Sequence, residues 1–118
     1  MAGLDITTLS PALGAEIRGI DFMQPLDNST LADIKSAWLE HLVLVFRCGE
    51  ISEDSQIQFA GCFGSTVGAR SKLRADGGDR RLMVISNVRE NGKPIGALPD
   101  GELMFHSDSV FLERPLMG

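Results

Sequence analysis

Cysteine, basic residues and long apolar runs are all scarce in this chain, and each scarcity excludes a class of protein. The two cysteines, Cys48 and Cys62, are too few for a disulfide framework and favour a reducing, cytoplasmic location. The 16 acidic residues outnumber the 11 basic ones, and a net charge of −5 argues against a nucleic-acid binder, which needs a basic face. The longest aliphatic or aromatic run, residues 42–46, is far shorter than the about 20 residues of a membrane span, so we expect no membrane partner.

The remaining composition is that of a globular protein. The 118 residues are 43% hydrophobic and 23% charged, which is enough for one small domain. A chain of this size buries about two thirds of its unfolded surface, so a hydrophobic core is expected. Residues 1–11 contain no basic residue and no long apolar segment, and therefore do not resemble a secretory signal.

The order of predicted elements indicates a mixed α+β chain in which strands dominate. Apolar and β-branched runs predict strands at residues 6–9, 15–18, 42–46, 82–85 and 103–106. Apolar residues at helical spacing predict one helix over residues 29–41 and a second from Ser52 to about Gly64. Within these helices, Trp38 and Phe59 are expected in the core. Residues 27–30 offer several helix N-caps, and residues 91–94 carry the turn signal Asn-Gly-Lys-Pro.

The second of the two histidines carries the strongest chemical signal. On an extended backbone, residues i and i+2 point to the same face, so His106 and Asp108 can both reach one metal ion. A non-haem Fe(II) centre uses two histidines and one carboxylate, and this pair would supply two of the three ligands. The spacing is also compatible with a solvated histidine and aspartate at the end of a strand. His41 is expected to interact with the dipole at the end of the first helix.

Three segments resemble a known family. The segment GELMFHSDSVFLERP at residues 101–115 resembles the metal-binding motif of the Fe(II)/2-oxoglutarate-dependent dioxygenases similar to taurine dioxygenase, the TauD/TfdA-like family. Residues 13–47 resemble the opening of that family, with a Gly-Ala-x-Ile-x-Gly-x-Asp stretch, a helix and a His-x-Val-x-x-Phe-Arg strand. Residues 51–64 resemble the helix that follows. The motifs occur in the order of the family, and the loop at residues 65–81 is the least similar part.

The resemblance implies a fold, a reaction and a set of cofactors. The fold would be an incomplete double-stranded β-helix (a jelly roll of the clavaminate synthase-like type) with flanking helices. Residues 1–118 would form the N-terminal part of a single dioxygenase domain, truncated after the His-x-Asp motif. Fe(II) would be held by His106, Asp108 and a second histidine downstream of residue 118. The co-substrates would be O2 and 2-oxoglutarate, which is decarboxylated to succinate and CO2 as a small organic substrate is hydroxylated. The arginine that holds 2-oxoglutarate is also expected downstream of residue 118.

Substrate contacts are expected at Arg70, Asn87 and Glu102. Arg70 belongs to the loop at residues 65–81, which has five basic residues and is called the basic loop below. Two interpretations of this loop stay open: it lines the entrance for an anionic substrate, or it is a surface loop with solvated charges. The chain has no tyrosine, and residues 69–72 contain no histidine, which argues against taurine itself as the substrate. The sequence leaves a homo-oligomer open.

Two other classes of protein compete with a dioxygenase. One is a truncated, non-catalytic remnant or binding module that keeps an incomplete metal site. The other is a different cupin-like metal protein, a group that uses more histidines than the two present here. Because residues 109–118 contain neither a histidine nor a suitably placed arginine, we expect the 118-residue chain alone to be inactive.

Overall fold

A computed structural model describes residues 4–66, 78–79, 81–96, 98, 100–101 and 104–115. The strands are β1 Asp5–Thr8, β2 Ala15–Arg18, β3 Leu44–Phe46, β4 Arg89–Glu90 and β5 Lys93–Pro94, and the helices are α1 Asn28–His41 and α2 Glu53–Gly61. The first three strands form one sheet in the order β1-β2-β3, and β4 and β5 form a separate ribbon. No described helix is long and apolar enough to cross a membrane.

The three-stranded sheet combines a hairpin with a crossover through α1. Strands β1 and β2 lie close to the strands predicted at residues 6–9 and 15–18, and they are antiparallel with Ile6 opposite Ile17. Strand β3 is parallel to β2, with Ala15 opposite Leu44. A parallel neighbour needs a crossover connection, and residues 19–43 supply it through α1. The mixed sheet therefore uses both kinds of pairing within 42 consecutive residues of chain, from Asp5 to Phe46.

Both helices begin at the residues that offer N-cap side chains. The Asp27 carboxylate accepts a hydrogen bond from the Thr30 backbone N–H at 2.8 Å, and this bond, with bonds from the Ser29 and Thr30 hydroxyls, lowers the pKa of Asp27 to about 2. The Ser52 hydroxyl accepts from the Ser55 backbone N–H at 3.1 Å. A capped N–H is one of four that the first turn leaves without a helical partner, which explains both starting points.

The core lies between α1, α2 and the sheet. Ile17 and Ile34 are almost fully buried, together with Ala15 and Ala37. Beside them, Phe22, Phe46 and Phe59 meet edge to face, with ring centroids 4.7–5.4 Å apart. Phe63 extends this group, since its ring contacts both Phe59 and Trp38 edge to face. The predicted core positions Trp38 and Phe59 thus pack in an aromatic cluster, although both are half-buried.

A buried carboxylate ties the sheet to its flanking arginines. Glu16, in the middle of β2, is 9% exposed, and its two oxygens pair with different side chains. Oε1 lies 2.6 Å from Arg18 Nη2, and Oε2 lies 2.9 Å from Arg47 Nε. The hydrogen bond from Arg47, followed by the bond from Arg18, lowers the pKa of Glu16. An ionised Glu16 therefore links β2 to the residue that follows β3.

Four predicted elements differ from the structure. The strand expected at residues 42–46 begins only at Leu44, because Leu42 adopts a left-handed φ of 66° in a turn that Val43 N–H closes onto the His41 carbonyl. The second helix ends at Gly61, before the expected Gly64. Residues 82–85 and the described part of 103–106 are not strands, since no neighbouring strand within the described residues pairs with their backbone. Among described residues helix exceeds strand, so the expected dominance of strands is not found there.

The turn predicted from the Asn-Gly-Lys-Pro signal joins β4 and β5 in a hairpin. Asn91 and Gly92 have φ of 50° and 76°, which are the two consecutive positive values of the turn that best suits a two-residue hairpin. The pairing extends past the ribbon through the Ile95 N–H, which donates to the Val88 carbonyl at 3.1 Å. Further along, Gly96 lies so close to Ser86 that a Cβ at Gly96 would be 2.6 Å from the Ser86 backbone nitrogen and oxygen.

Candidate metal centre

The two predicted ligands lie side by side in the segment 104–108. This segment has no regular secondary structure in its described residues, and its side chains project from the surface. His106 Nε2 is 3.0 Å from Asp108 Oδ1, so the i, i+2 relation brings the two groups to one face as predicted. Their side chains are 59% and 85% exposed, so the pair lies at the surface.

The other ring nitrogen of His106 is also held. Nδ1 lies 2.7 Å from the backbone carbonyl oxygen of Met104, an acceptor that can only receive a proton. Nδ1 must therefore carry hydrogen, and in the neutral ring Nε2 is the nitrogen with the lone pair. Metal-binding histidines commonly donate their second N–H to a backbone carbonyl in this way, which fixes the ring and the tautomer. Nothing in the sequence signals this carbonyl, so the contact was not predictable from side-chain types.

The Nε2 atom of His106 can bind either a proton or a metal ion. The hydrogen bond to the Met104 carbonyl, followed by the hydrogen bond and charge of Asp108, raises the pKa of His106. In the protonated ring both N–H groups face an oxygen, which accounts for the direction of the shift. A cation placed between Nε2 and Oδ1 would replace that Nε2 proton and interact with both donors.

The donor set fits a divalent transition metal. An imidazole nitrogen and a carboxylate oxygen are two of the three ligands in the facial iron site of non-haem oxygenases. Two ligands about 2.1 Å from an octahedral ion and at right angles to each other lie about 3.0 Å apart. The 3.0 Å between Nε2 and Oδ1 in this structure is a hydrogen-bond distance, and it is close to that separation.

A third protein ligand does not accompany the pair within the part of the chain that the structure describes. No group of three or more His, Cys, Asp and Glu side chains in that part could hold a metal. His41 is the last residue of α1, as predicted, and belongs to no such group. The described residues thus provide two donors and leave the other coordination positions open.

The three predicted substrate contacts have different outcomes. Arg70 and Glu102 lie outside the described residues, as does most of the basic loop. Asn87 is exposed in the segment before β4, and no hydrogen bond or ion pair among the described residues joins it to His106 or Asp108. The role of Asn87 as a substrate contact stays a prediction.

Arg81 is the arginine of the basic loop that lies among the described residues, and it forms an ion pair with Asp79. Arg81 Nη2 lies 2.5 Å from Asp79 Oδ2, and Nε also donates to the same carboxylate. This pairing raises the pKa of Arg81. At this end of the loop the positive charge is therefore neutralised by a near neighbour.

Comparison with known proteins gives the same family over nearly the whole chain. Residues 5–117 match the family described as "Taurine catabolism dioxygenase TauD, TfdA family". The (S)-phenoxypropionate/alpha-ketoglutarate-dioxygenase of Delftia acidovorans is 32% identical over 119 residues, covering 92% of this chain and 38% of that protein. An alkylsulfatase of Acinetobacter baylyi is 42% identical over 77 residues, covering 64% of this chain and 24% of that protein.

Part of this chain is also similar in structure to a solved protein. The crystal structure of AAD-2 in complex with Mn(II) and N-oxalylglycine is similar with a TM-score of 0.52 and 28% identity, over 55% of this chain and 26% of that one. The match therefore spans less than two fifths of the length of each of these three proteins.

Proposed function

Because the chain belongs to the taurine catabolism dioxygenase TauD, TfdA family, we propose that it supplies the histidine–aspartate half of the iron site of an Fe(II)/2-oxoglutarate-dependent dioxygenase. The observation that carries the proposal is the 3.0 Å separation of His106 Nε2 and Asp108 Oδ1, with Nδ1 of the same ring fixed on a backbone carbonyl. The remaining histidine ligand and the arginine for 2-oxoglutarate would come from sequence outside residues 1–118. The fold would be the first part of a jelly roll with flanking helices.

Each residue of the pair has a separate part in this proposal. His106 offers a neutral nitrogen donor whose direction is set by the Met104 carbonyl, so no rearrangement of the ring is needed when the ion binds. Asp108 offers a negatively charged oxygen, which offsets part of the charge of a divalent cation. The bound iron would supply the activation of O2 that couples decarboxylation of 2-oxoglutarate, to succinate and CO2, to hydroxylation of the substrate.

The substrate class we propose is a small organic anion. The relative from Delftia is named for phenoxypropionate, a carboxylate, and the relative from Acinetobacter is named an alkylsulfatase. The basic loop that contains Arg70 would attract such an anion, and Asn87 and Glu102 are the further substrate contacts that we propose. We place the reaction in the cytoplasm, because a chain with only two cysteines, neither in a disulfide, suits a reducing compartment.

A metal titration tests the assignment of the pair. Mn(II), the ion in the AAD-2 crystal structure, is added to the 118-residue chain while NMR records the ring signals of its two histidines. The His106 signals should broaden first. His106→Ala and Asp108→Ala should each weaken Mn(II) binding by at least about tenfold, because each removes one of only two described donors. His41→Ala is the matched control and should leave binding unchanged. Equal broadening of both histidines, or normal binding by Asp108→Ala, would refute the assignment.

An activity assay tests whether this chain suffices for turnover. With Fe(II), 2-oxoglutarate and O2, the 118-residue chain is expected to release no succinate above background, because two ligands do not complete the site. Succinate release that disappears in His106→Ala would show that the chain completes the site by itself. Binding of Mn(II) by a longer protein that also fails to turn over 2-oxoglutarate would favour the non-catalytic alternative.

A further inference from the structure

Ser109, the residue after Asp108, has an unusual backbone. Its φ is 53°, in the left-handed region that residues with a Cβ rarely enter. Only two other described non-glycine residues have a positive φ. Asn91 is one of them, and the hairpin turn that it forms with Gly92 accounts for its conformation. Ser109 has no glycine beside it, and serine is not one of the residues enriched in this region.

Ser109 lies inside a turn, since residues 108–111 all have turn conformation. The Leu112 N–H donates to the Ser109 carbonyl at 3.0 Å, which closes a tight turn over residues 109–112. No hydrogen bond of the Ser109 hydroxyl occurs among the described residues, so a described side-chain partner does not explain the backbone. Ser109 is half-buried, whereas residues 104–108 before it are exposed. The chain therefore turns at and directly after the second ligand.

We infer that Ser109 is a positioning residue for the metal centre. Its left-handed backbone reverses the chain immediately behind Asp108 and so holds the carboxylate against His106 Nε2 before any ion binds. The inference rests on the proposed function, since it concerns the same pair of ligands. Ser109 would not bind the ion itself. Its backbone would hold His106 Nε2 and Asp108 Oδ1 3.0 Å apart before the ion binds.

Three substitutions separate backbone geometry from side-chain chemistry. Ser109→Gly removes the hydroxyl and makes the left-handed conformation easy, because glycine has no Cβ. Ser109→Val also removes the hydroxyl but strongly disfavours that conformation, because its branched Cβ crowds the backbone. Ser109→Ala lies between them. If the hydroxyl mattered, all three variants would behave alike, whereas a backbone role orders them Gly, Ala, Val.

Two measurements are made on each variant of the 118-residue chain. The first is Mn(II) binding, read from the broadening of the His106 ring signals with His41 as the internal reference. The second needs no metal and is the nuclear Overhauser effect between the His106 ring and the Asp108 β protons. Ser109→Gly should match the wild type within about twofold, whereas Ser109→Val should bind Mn(II) at least about tenfold more weakly and lose the proton–proton signal. Unchanged Trp38 fluorescence would show that the packed region has stayed folded.

The two readouts distinguish failure of this inference from failure of the proposed function. If Ser109→Val keeps the proton–proton signal and binds Mn(II) like Ser109→Gly, the positioning role is wrong, even though the metal site stands. If no variant binds Mn(II) but the proton–proton signal is lost only in Ser109→Val, Ser109 does position Asp108 and the metal assignment is wrong.

Discussion

The N-terminal region (residues 4–66) and the motif region (the described residues of 81–115) are held together in different ways. The N-terminal region has a sheet, two capped helices and an aromatic cluster, and it contains the fully buried Ile17 and Ile34. The motif region has a single hairpin, and its large apolar side chains are mostly exposed, with Met104, Phe105 and Phe111 each more than 80% accessible. The family match covers both regions equally.

The packed core and the proposed metal ligands therefore lie in different regions of the chain. The N-terminal region buries apolar surface, whereas both proposed ligands, His106 and Asp108, lie in the motif region. The contacts around them are local backbone contacts, namely the Met104 carbonyl and the turn that begins at Ser109. We therefore expect substitutions in one region to leave the properties of the other largely unchanged.

The largest effect is expected in the core of the N-terminal region. Ile34→Ala should lower the free energy of unfolding by about 2–5 kcal/mol, because it leaves a cavity at a fully buried position. Urea unfolding followed by the fluorescence of Trp38, the only tryptophan, measures the change. Leu39→Ala, on the same helix but 80% exposed, is the control and should change it by less than about 0.5 kcal/mol. Similar effects of the two variants would mean that α1 is not packed as described.

A smaller and more local effect is expected from Gly96→Ala. The added methyl would lie 2.6 Å from the Ser86 backbone, so the segment after the hairpin must move. Overpacking of this kind costs about 1–3 kcal/mol. Amide NMR signals near Ser86 and Gly96 should shift, whereas the Trp38 unfolding curve should not. A change in that curve as large as the one caused by Ile34→Ala would contradict the separation of the two regions.

The smallest effect is expected from acid acting on the N-terminal region. Folding lowers the pKa of Glu16 below 4.5, so its stabilising contribution is present above that pH and is lost as the pH falls through the lower folded value. Asp27 acts in the same direction, between 3.8 and about 2. Urea midpoints at pH 7 and pH 3 should therefore differ less in Glu16→Gln than in the wild type. The exposed Glu40→Gln should retain the wild-type difference, and a loss of the difference in both variants would exclude the Glu16 pairs as its source.

Local sequence signals predicted the elements whose stabilising contacts are themselves local. The caps at Asp27 and Ser52 and the Asn91-Gly92 turn are satisfied by atoms within three residues, so the sequence contains both partners. The spacing of His106 and Asp108 predicted their proximity for the same reason. Residues 82–85 have the composition of a strand and alternate in exposure as a strand does, but a strand also needs a neighbour, which composition does not supply. The roles of the Met104 carbonyl and of Ser109 depend on backbone geometry that residue types do not reveal.

The turn at the end of α1 joins three parts of the N-terminal region at one atom. The His41 carbonyl oxygen accepts hydrogen bonds from the Gly14 and Val43 N–H groups, each at 2.8 Å. One acceptor thus connects the end of the helix, the start of β3 and the loop that leads into β2. The helix cannot turn away from the sheet without breaking the Gly14 bond, and detachment of the β1–β2 hairpin breaks the same bond. The hairpin and α1 should therefore separate as a single cooperative unit when the chain unfolds.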